Sequence, residues 1–174
     1  MIGNDNFLMA NAHLGHNCQV VDKLTLVNLA TLAGYCTVEN DAMISGIVVL
    51  HQFTRVGRLA MVSGLSAVIK DVPPYLLCGG RPAVIQGLNV VGLRRAGLPA
   101  PVRAGIKHAY KLLYRSGLNV SRALEVIERE CRSQEAKHLV EFIRASTRGI
   151  CAGIGEVTET VGPRKLTGAA QEDG

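Results

Sequence analysis

The chain has 174 residues, 48% of them hydrophobic, 19% charged and 4% aromatic, with no Trp. This is the composition of one or two small globular domains, and it excludes a disordered or collagen-like chain. The net charge of +5 favours an acidic partner such as a nucleotide, a phosphate or an acidic protein.

No apolar run approaches the roughly 18 residues of a membrane span. The start, Met1-Ile2-Gly3-Asn4-Asp5-Asn6, lacks the basic and apolar segments of a signal peptide. The expectation is a cytoplasmic protein without a membrane span.

From Ile2 to Val68 every sixth residue is Ile, Leu or Val: Ile2, Leu8, Leu14, Val20, Leu26, Leu32, Val38, Ile44, Leu50, Val56, Val62 and Val68. The residue four places on is usually small, as at Ala12, Cys18, Ala30, Cys36, Ala42, Thr54, Ala60 and Ser66. A helix does not produce a strict period of six, whereas a hexapeptide-repeat β-helix does. The reading is a left-handed parallel β-helix over residues 1–74, with the aliphatic residue inside each flat face and the small one near a corner. Three hexads close one coil, so about four coils are present. Ile2 is already a repeat position, and an open solenoid end exposes strand edges. The expectation is therefore the C-terminal part of a longer β-helix, or an open end covered by another chain.

The rhythm stops at Asp71-Val72-Pro73-Pro74-Tyr75, where two prolines fix an extended turn. Residues 75–100 are expected to connect, with Leu77 to Ile85 as an irregular loop around Gly79-Gly80-Arg81-Pro82. Helical spacing then begins, with Pro101 at a helix start and Gly117 near its end. Asn119 or Ser121 suits the cap of a second helix carrying Leu124, Ile127 and Cys131, and Leu139, Phe142 and Ile143 mark a third ending near Thr147. The helical domain is placed at 101–150 and a polar, flexible tail at 151–174.

The five cysteines, at 18, 36, 78, 131 and 151, show no CxxC spacing, so neither a metal framework nor a disulfide scaffold is expected. Cys18 and Cys36 fall one coil apart, about 4.8 Å, and read as small fillers of successive corners. His13 and His16 flank the inward Leu14, and His51 follows Leu50 two coils on. His16 and His51 would be about 10 Å apart along the axis, too far to converge on one zinc ion. Surface or interface histidines, or a histidine general base, are the remaining readings. Neither a GxSxG elbow nor a Walker A or GxGxxG loop is present. Any chemistry must then combine an activated substrate with a single base. No signature of nucleic-acid binding appears either, so no nucleic-acid partner is expected.

The segments Asn11-Ala12-His13-Leu14-Gly15-His16-Asn17-Cys18, Ala30-Thr31-Leu32-Ala33-Gly34, His51-Gln52-Phe53 and Asp71-Val72-Pro73-Pro74-Tyr75 closely resemble the UDP-N-acetylglucosamine acyltransferases of lipid A biosynthesis. So do Asn89-Val90-Val91-Gly92-Leu93-Arg94-Arg95, Ala109 to Gly117 and Arg144 to Gly149. The likeness covers roughly residues 2–150.

The resemblance implies a homotrimer with active sites between neighbouring solenoids. It also implies transfer of a 3-hydroxyacyl group from acyl carrier protein to the 3-hydroxyl of UDP-N-acetylglucosamine. No cofactor enters beyond the carrier's thioester. His16 matches the general base and Gly34 the backbone oxyanion donor. His13, His51 and Gln52 match substrate contacts, Asn89 and Arg95 lie near the nucleotide sugar in the family, and Gly64 matches the position that limits acyl length. Three positions depart from the family pattern: Asn17 where Asp is common, Tyr35 for a frequent His, and Val91 where Glu is frequent. The basic residues Arg94, Arg95, Arg103, Lys107, Lys111 and Arg115 form a candidate carrier-protein surface. The alternative to an enzyme is a non-catalytic trimeric scaffold or an inactive shortened homologue.

Overall fold

The computed structural model describes residues 1–154. Up to Val68 they form a left-handed parallel β-helix of about four coils. Its strands are two residues long, the first outward and the second inward: β1 (Phe7–Leu8), β2 (His13–Leu14), β3 (Gln19–Val20), β4 (Thr25–Leu26), β5 (Thr31–Leu32), β6 (Thr37–Val38), β7 (Met43–Ile44), β8 (Val49–Leu50), β9 (Arg55–Val56), β10 (Met61–Val62) and β11 (Ala67–Val68). Strands β1, β4, β7 and β10 make the first face, β2, β5, β8 and β11 the second, and β3, β6 and β9 the third. Each pairs with the strand 18 residues on, as in His13 with Thr31 and Val20 with Val38.

The hexad has a steric basis. From Val20 to Val68 the aliphatic residue of each hexad is almost fully buried, and Ala30, Cys36, Ala42 and Ala60 fill the interior beside the corners. Ile2 and Leu8, in the first coil, remain exposed at 54% and 43%. Three places after each aliphatic residue the backbone turns through the left-handed region, at every sixth residue from Asp5 to Leu65. All eleven of these corner residues are non-glycine. Polar residues at inward small positions bond to the backbone: Thr54 Oγ1 donates to His51 O (2.7 Å) and Ser66 Oγ to Ser63 O (2.6 Å). Cys18 and Cys36 are free and buried, and their thiols donate to Ala33 O and His51 O.

After Val68 the register shortens. Val56 pairs with Val72 and Met61 with Leu77, a step of 16 residues through the Pro73-Pro74 turn. Leu77 to Ile85 is not the irregular loop expected from its Gly and Pro content. Strands β12 (Leu76–Gly80) and β13 (Ala83–Leu88) form an antiparallel hairpin on the edge of the first face. The glycines and Pro82 lie in and beside its tight turn, and the alternately buried Leu76, Cys78, Ala83 and Ile85 extend the solenoid core.

Helix α1 (Val90–Arg95) follows, then α2 (Ala100–Tyr114), α3 (Val120–Glu130) and α4 (Gln134–Arg144). Asn119 caps α3 and Ser133 caps α4, each side chain accepting a backbone N–H. Helices α2 to α4 enclose a second core around Ile106, Leu113, Ile127, Leu139 and Phe142, to which Leu59 and Tyr75 contribute.

The chain then returns to the solenoid. Ile150 pairs with Asp71 and Gly153 with Ile85, and Cys151 is buried in the solenoid core. The flexible tail expected from 151 is thus ordered at its first residues, because they complete strand edges. The rest of that stretch lies outside the described residues. Among the described residues no helix is long and apolar enough to cross a membrane.

Candidate active site

The hexad rule decides where each candidate side chain stands. His13 is the outward residue of β2, on the second face. His16, Gly34 and Gln52 occupy equivalent places in three successive coils, at the corner between the second and third faces. His51 sits one residue before Gln52 in that corner. Gly64 lies at the other edge of the second face, in the corner after β10, where an added Cβ would approach Gly46 O to 3.3 Å. Six of the eight candidates therefore border one face.

His16 is exposed, yet three groups define its ring. Its Nδ1 lies 3.1 Å from Asn17 Oδ1. With that carbonyl oxygen as acceptor, the imidazole keeps its proton on Nδ1 and leaves a lone pair on Nε2. On one side is Gly34, where a Cβ would come within 2.6 Å of Nε2. Glycine is needed at 34 for this approach, not for its backbone angles. On another side the Tyr35 ring meets the imidazole edge to face, with centroids 5.1 Å apart and planes at 89°. Backbone bonds join the coils here, Tyr35 N–H donating to His16 O (2.9 Å) and Phe53 N–H to Gly34 O (3.2 Å). No acceptor for the Gly34 N–H is found among the described residues. His51 Nδ1 is 3.1 Å from Gln52 O, a carbonyl that can only accept, so the proton of the neutral ring sits on Nδ1. No group of three or more His, Cys, Asp or Glu side chains among the described residues could hold a metal ion.

Asn89 and Arg95 are elsewhere. Asn89 caps α1, its Oδ1 accepting from Gly92 N–H (2.9 Å) and its Nδ2 donating to Leu59 O (2.9 Å). That pair of bonds clamps α1 to the corner between the third and first faces. With Arg95 and Val91, Asn89 lines a cleft of about 490 Å³ against Lys23, Thr25 and Met43 of the first face. One chain thus carries two groups of candidate residues on different faces of the prism. The cleft was not legible as a unit in the sequence, because its walls come from coils up to 70 residues from α1. The Asn89-to-Arg95 motif was the one signal that could point to it.

The basic residues form a third feature. Arg94, Arg103 and Lys107 border a groove of about 230 Å³ between α1 and α2, and Arg103 Nη1 is anchored to Leu98 O (2.6 Å).

Comparison with known proteins shows the family and its fold. Residues 71–151 match the family described as UDP N-acetylglucosamine O-acyltransferase, domain 2. The acyl-[acyl-carrier-protein]–UDP-N-acetylglucosamine O-acyltransferase of Gloeothece citriformis is 42% identical over 146 residues, covering 84% of this chain and 53% of that protein. The enzyme of the same name from Verminephrobacter eiseniae is 42% identical over 154 residues, 86% of this chain and 59% of its own. Among solved structures, the UDP-N-acetylglucosamine acyltransferase of Bacteroides fragilis superposes with a TM-score of 0.83 at 40% identity. It is matched over 85% of this chain and 58% of its own. The Francisella novicida enzyme gives 0.86 at 36% identity, over 88% and 57%.

The chain belongs to the UDP-N-acetylglucosamine acyltransferase family. It spans just over half the length of these relatives. Within the acyltransferase fold, the β-helix carries the histidine-bearing face, and the cleft with Arg95 lies between α1 and the β-helix.

Proposed function

We propose that the chain is the histidine-bearing part of an acyltransferase that moves a 3-hydroxyacyl group from acyl carrier protein to UDP-N-acetylglucosamine, the first step of lipid A biosynthesis. The observation that carries this reading is His16. Its Nδ1 is engaged by Asn17, and its Nε2 lies against Gly34, whose N–H has no acceptor among the described residues. His16 Nε2 takes the proton of the sugar 3-hydroxyl as that oxygen attacks the thioester carbonyl. The Gly34 N–H donates to the developing oxyanion, a role that needs no side chain. When the tetrahedral intermediate collapses, the C–S bond breaks and the imidazolium returns its proton to the departing thiolate. The products are the ester and the free carrier thiol. No cofactor takes part, because the thioester is already activated.

His13, His51 and Gln52 contact the substrates along the second face, and Gly64 leaves room for the acyl chain at its far edge. Arg95 attracts the diphosphate of the nucleotide sugar in the cleft, with Asn89 holding α1 in place. The acidic carrier protein docks on Arg94, Lys107, Lys111 and Arg115. Both substrates are water-soluble, and the reaction is read here as a cytoplasmic one. Since the His16 corner and the Arg95 cleft are on different faces, a working site joins two chains, and a homotrimer satisfies this for all three copies.

A second reading, a non-catalytic trimeric scaffold, is favoured by the uncharged Asn17 beside His16 and by Val91 in the cleft. Acyl transfer by the chain, assayed with a panel of 3-hydroxyacyl carrier proteins and UDP-N-acetylglucosamine, separates the two. The enzyme reading expects turnover that falls roughly 10²–10⁴-fold in His16→Ala. A folded trimer without turnover supports the scaffold.

A further inference from the structure

At the corner between the second and third faces, the left-handed residues of three successive coils are Asn17 (φ 60°), Tyr35 (φ 61°) and Phe53 (φ 63°). Bulky side chains are disfavoured in this region, where Asn, Asp and Gly are at home. Tyr35 and Phe53 are nevertheless there, about half exposed, and neither joins a hydrophobic core. Their contacts are with one another and with the base. The rings of Tyr35 and Phe53 stack at 5.0 Å with planes 18° apart, and Tyr35 stands edge to face with His16 at 5.1 Å. The hydroxyl of Tyr35 has no hydrogen-bond partner among the described residues, so the ring is the part in use.

Resting on the functional reading above, we propose that Tyr35, braced by Phe53, is a positioning residue for His16. The imidazole is exposed and held by a single side-chain hydrogen bond, to an uncharged Asn17. One such bond leaves the ring free to swing about its χ angles. Gly34 gives the ring a floor, and Tyr35 gives it a wall. Together they keep Nε2 against Gly34, the residue read above as the oxyanion donor. Misplacing a catalytic group by about 1 Å lowers the rate by as much as 10²-fold. The wall therefore acts on kcat and leaves substrate affinity alone.

The test compares the intact chain with Tyr35→Phe and Tyr35→Leu in two measurements. Leucine is accommodated in the same backbone conformation at Leu29, Leu59 and Leu65, so the Leu variant folds. In acyl transfer, Tyr35→Leu lowers kcat about tenfold or more with KM within about twofold, and Tyr35→Phe restores the original values. In carbon–proton correlation NMR of the histidine rings, His16 shows an aromatic ring-current displacement. It is lost in Tyr35→Leu and kept in Tyr35→Phe. Unchanged kcat and unchanged His16 ring shifts in Tyr35→Leu overturn the proposal. So does a raised KM in Tyr35→Phe, which would make the hydroxyl a substrate contact. If the unmodified chain shows no turnover, or His16→Ala keeps it, the functional reading fails by itself. A cross-relaxation contact between the His16 ring and the Gly34 Hα protons, kept in Tyr35→Phe and lost in Tyr35→Leu, then still decides whether Tyr35 holds the His16 ring.

Discussion

Gly34 shows how one missing side chain shapes the site. Its backbone lies outside the left-handed region, so alanine is conformationally acceptable there, yet a Cβ would reach within 2.6 Å of His16 Nε2. The ring, exposed and on a short side chain, would move before the coil does. Gly34→Ala is expected to leave the melting temperature nearly unchanged and to lower kcat by roughly 10²-fold, a loss of position and not of fold. Thermal denaturation beside steady-state kinetics checks both halves, and a full rate in a stable variant would contradict the geometry. The sequence motif already singled out His16 and Gly34. What spacing alone does not disclose is that they touch. That follows from an 18-residue coil, which places position 34 over position 16. The left-handed corners were hidden for another reason. Asp5, Asn11, Asn17 and Asp41 suit that backbone, but Leu29, Tyr35, Ile47, Phe53 and Leu65 in the same places give no local sign of it.

Between elements, two polar ties fix α4 and the residues just after it to the solenoid, in addition to the Asn89 clamp on α1. In one, Asp71 is buried and accepts from Arg55 N–H (2.9 Å) and Ser146 Oγ (2.8 Å), while Arg55 lies over the Phe142 ring of α4 at 4.0 Å. In the other, His138 of α4 lies between the Tyr75 hydroxyl (2.9 Å from Nδ1) and Glu39 Oε2 (3.0 Å from Nε2). Burial pushes the Tyr75 phenol well up, so it keeps its proton. Burial would raise Glu39 too. The hydrogen bonds from His138 and the Arg58 N–H, with the charges of His138 and Arg55, outweigh it and hold the carboxyl below its usual value near 4.5. A carboxylate depressed in the folded state stabilises fully above its unfolded value, and that contribution is lost as pH falls through the folded one. Glu39→Gln is therefore expected to melt lower than the unmodified protein at neutral pH, by about 2–4 °C for roughly 1 kcal/mol. The gap should close below about pH 4.5, and a gap independent of pH would remove Glu39's charge from the account. Helices α2 to α4 were legible because a 3.6-residue period and capping residues are local signals, whereas the short α1 fell inside the stretch expected only to connect. The β12–β13 hairpin was not, because Gly79-Gly80-Arg81-Pro82 suggests a loop as readily as a hairpin turn. The ties were not legible either, since they join residues up to 99 positions apart in the chain, as at Glu39 and His138.

At the scale of the molecule, the second face is the anomaly. Leu29, Ile47 and Leu65 stack along its edge at φ near 60°, each more than half exposed, with Val49 beside them. The left-handed backbone disfavours each by about 1–2 kcal/mol, and a lone chain gains no burial in return. Covering each against another chain would return about 1.5–3 kcal/mol, enough to offset the strain. Ile47→Asn, which suits the backbone but not an apolar contact, is expected to shift the assembly toward monomers in sedimentation, with the coil fold intact by circular dichroism. The same face carries His13, His16 and His51, while Arg95 lies on another. A mixing experiment follows from that division. His16→Ala and Arg95→Ala chains should each be nearly inactive alone. Unfolded together and refolded at equal amounts, they form mixed trimers in which some sites take His16 from one chain and Arg95 from its neighbour. Random assembly makes about a quarter of the sites intact. Turnover near a quarter of the unmodified level is therefore expected at equal amounts, and it should fall as the mixing ratio departs from equality in either direction. A site contained within one chain could recover nothing by mixing, because every chain in the mixture lacks one of the two residues.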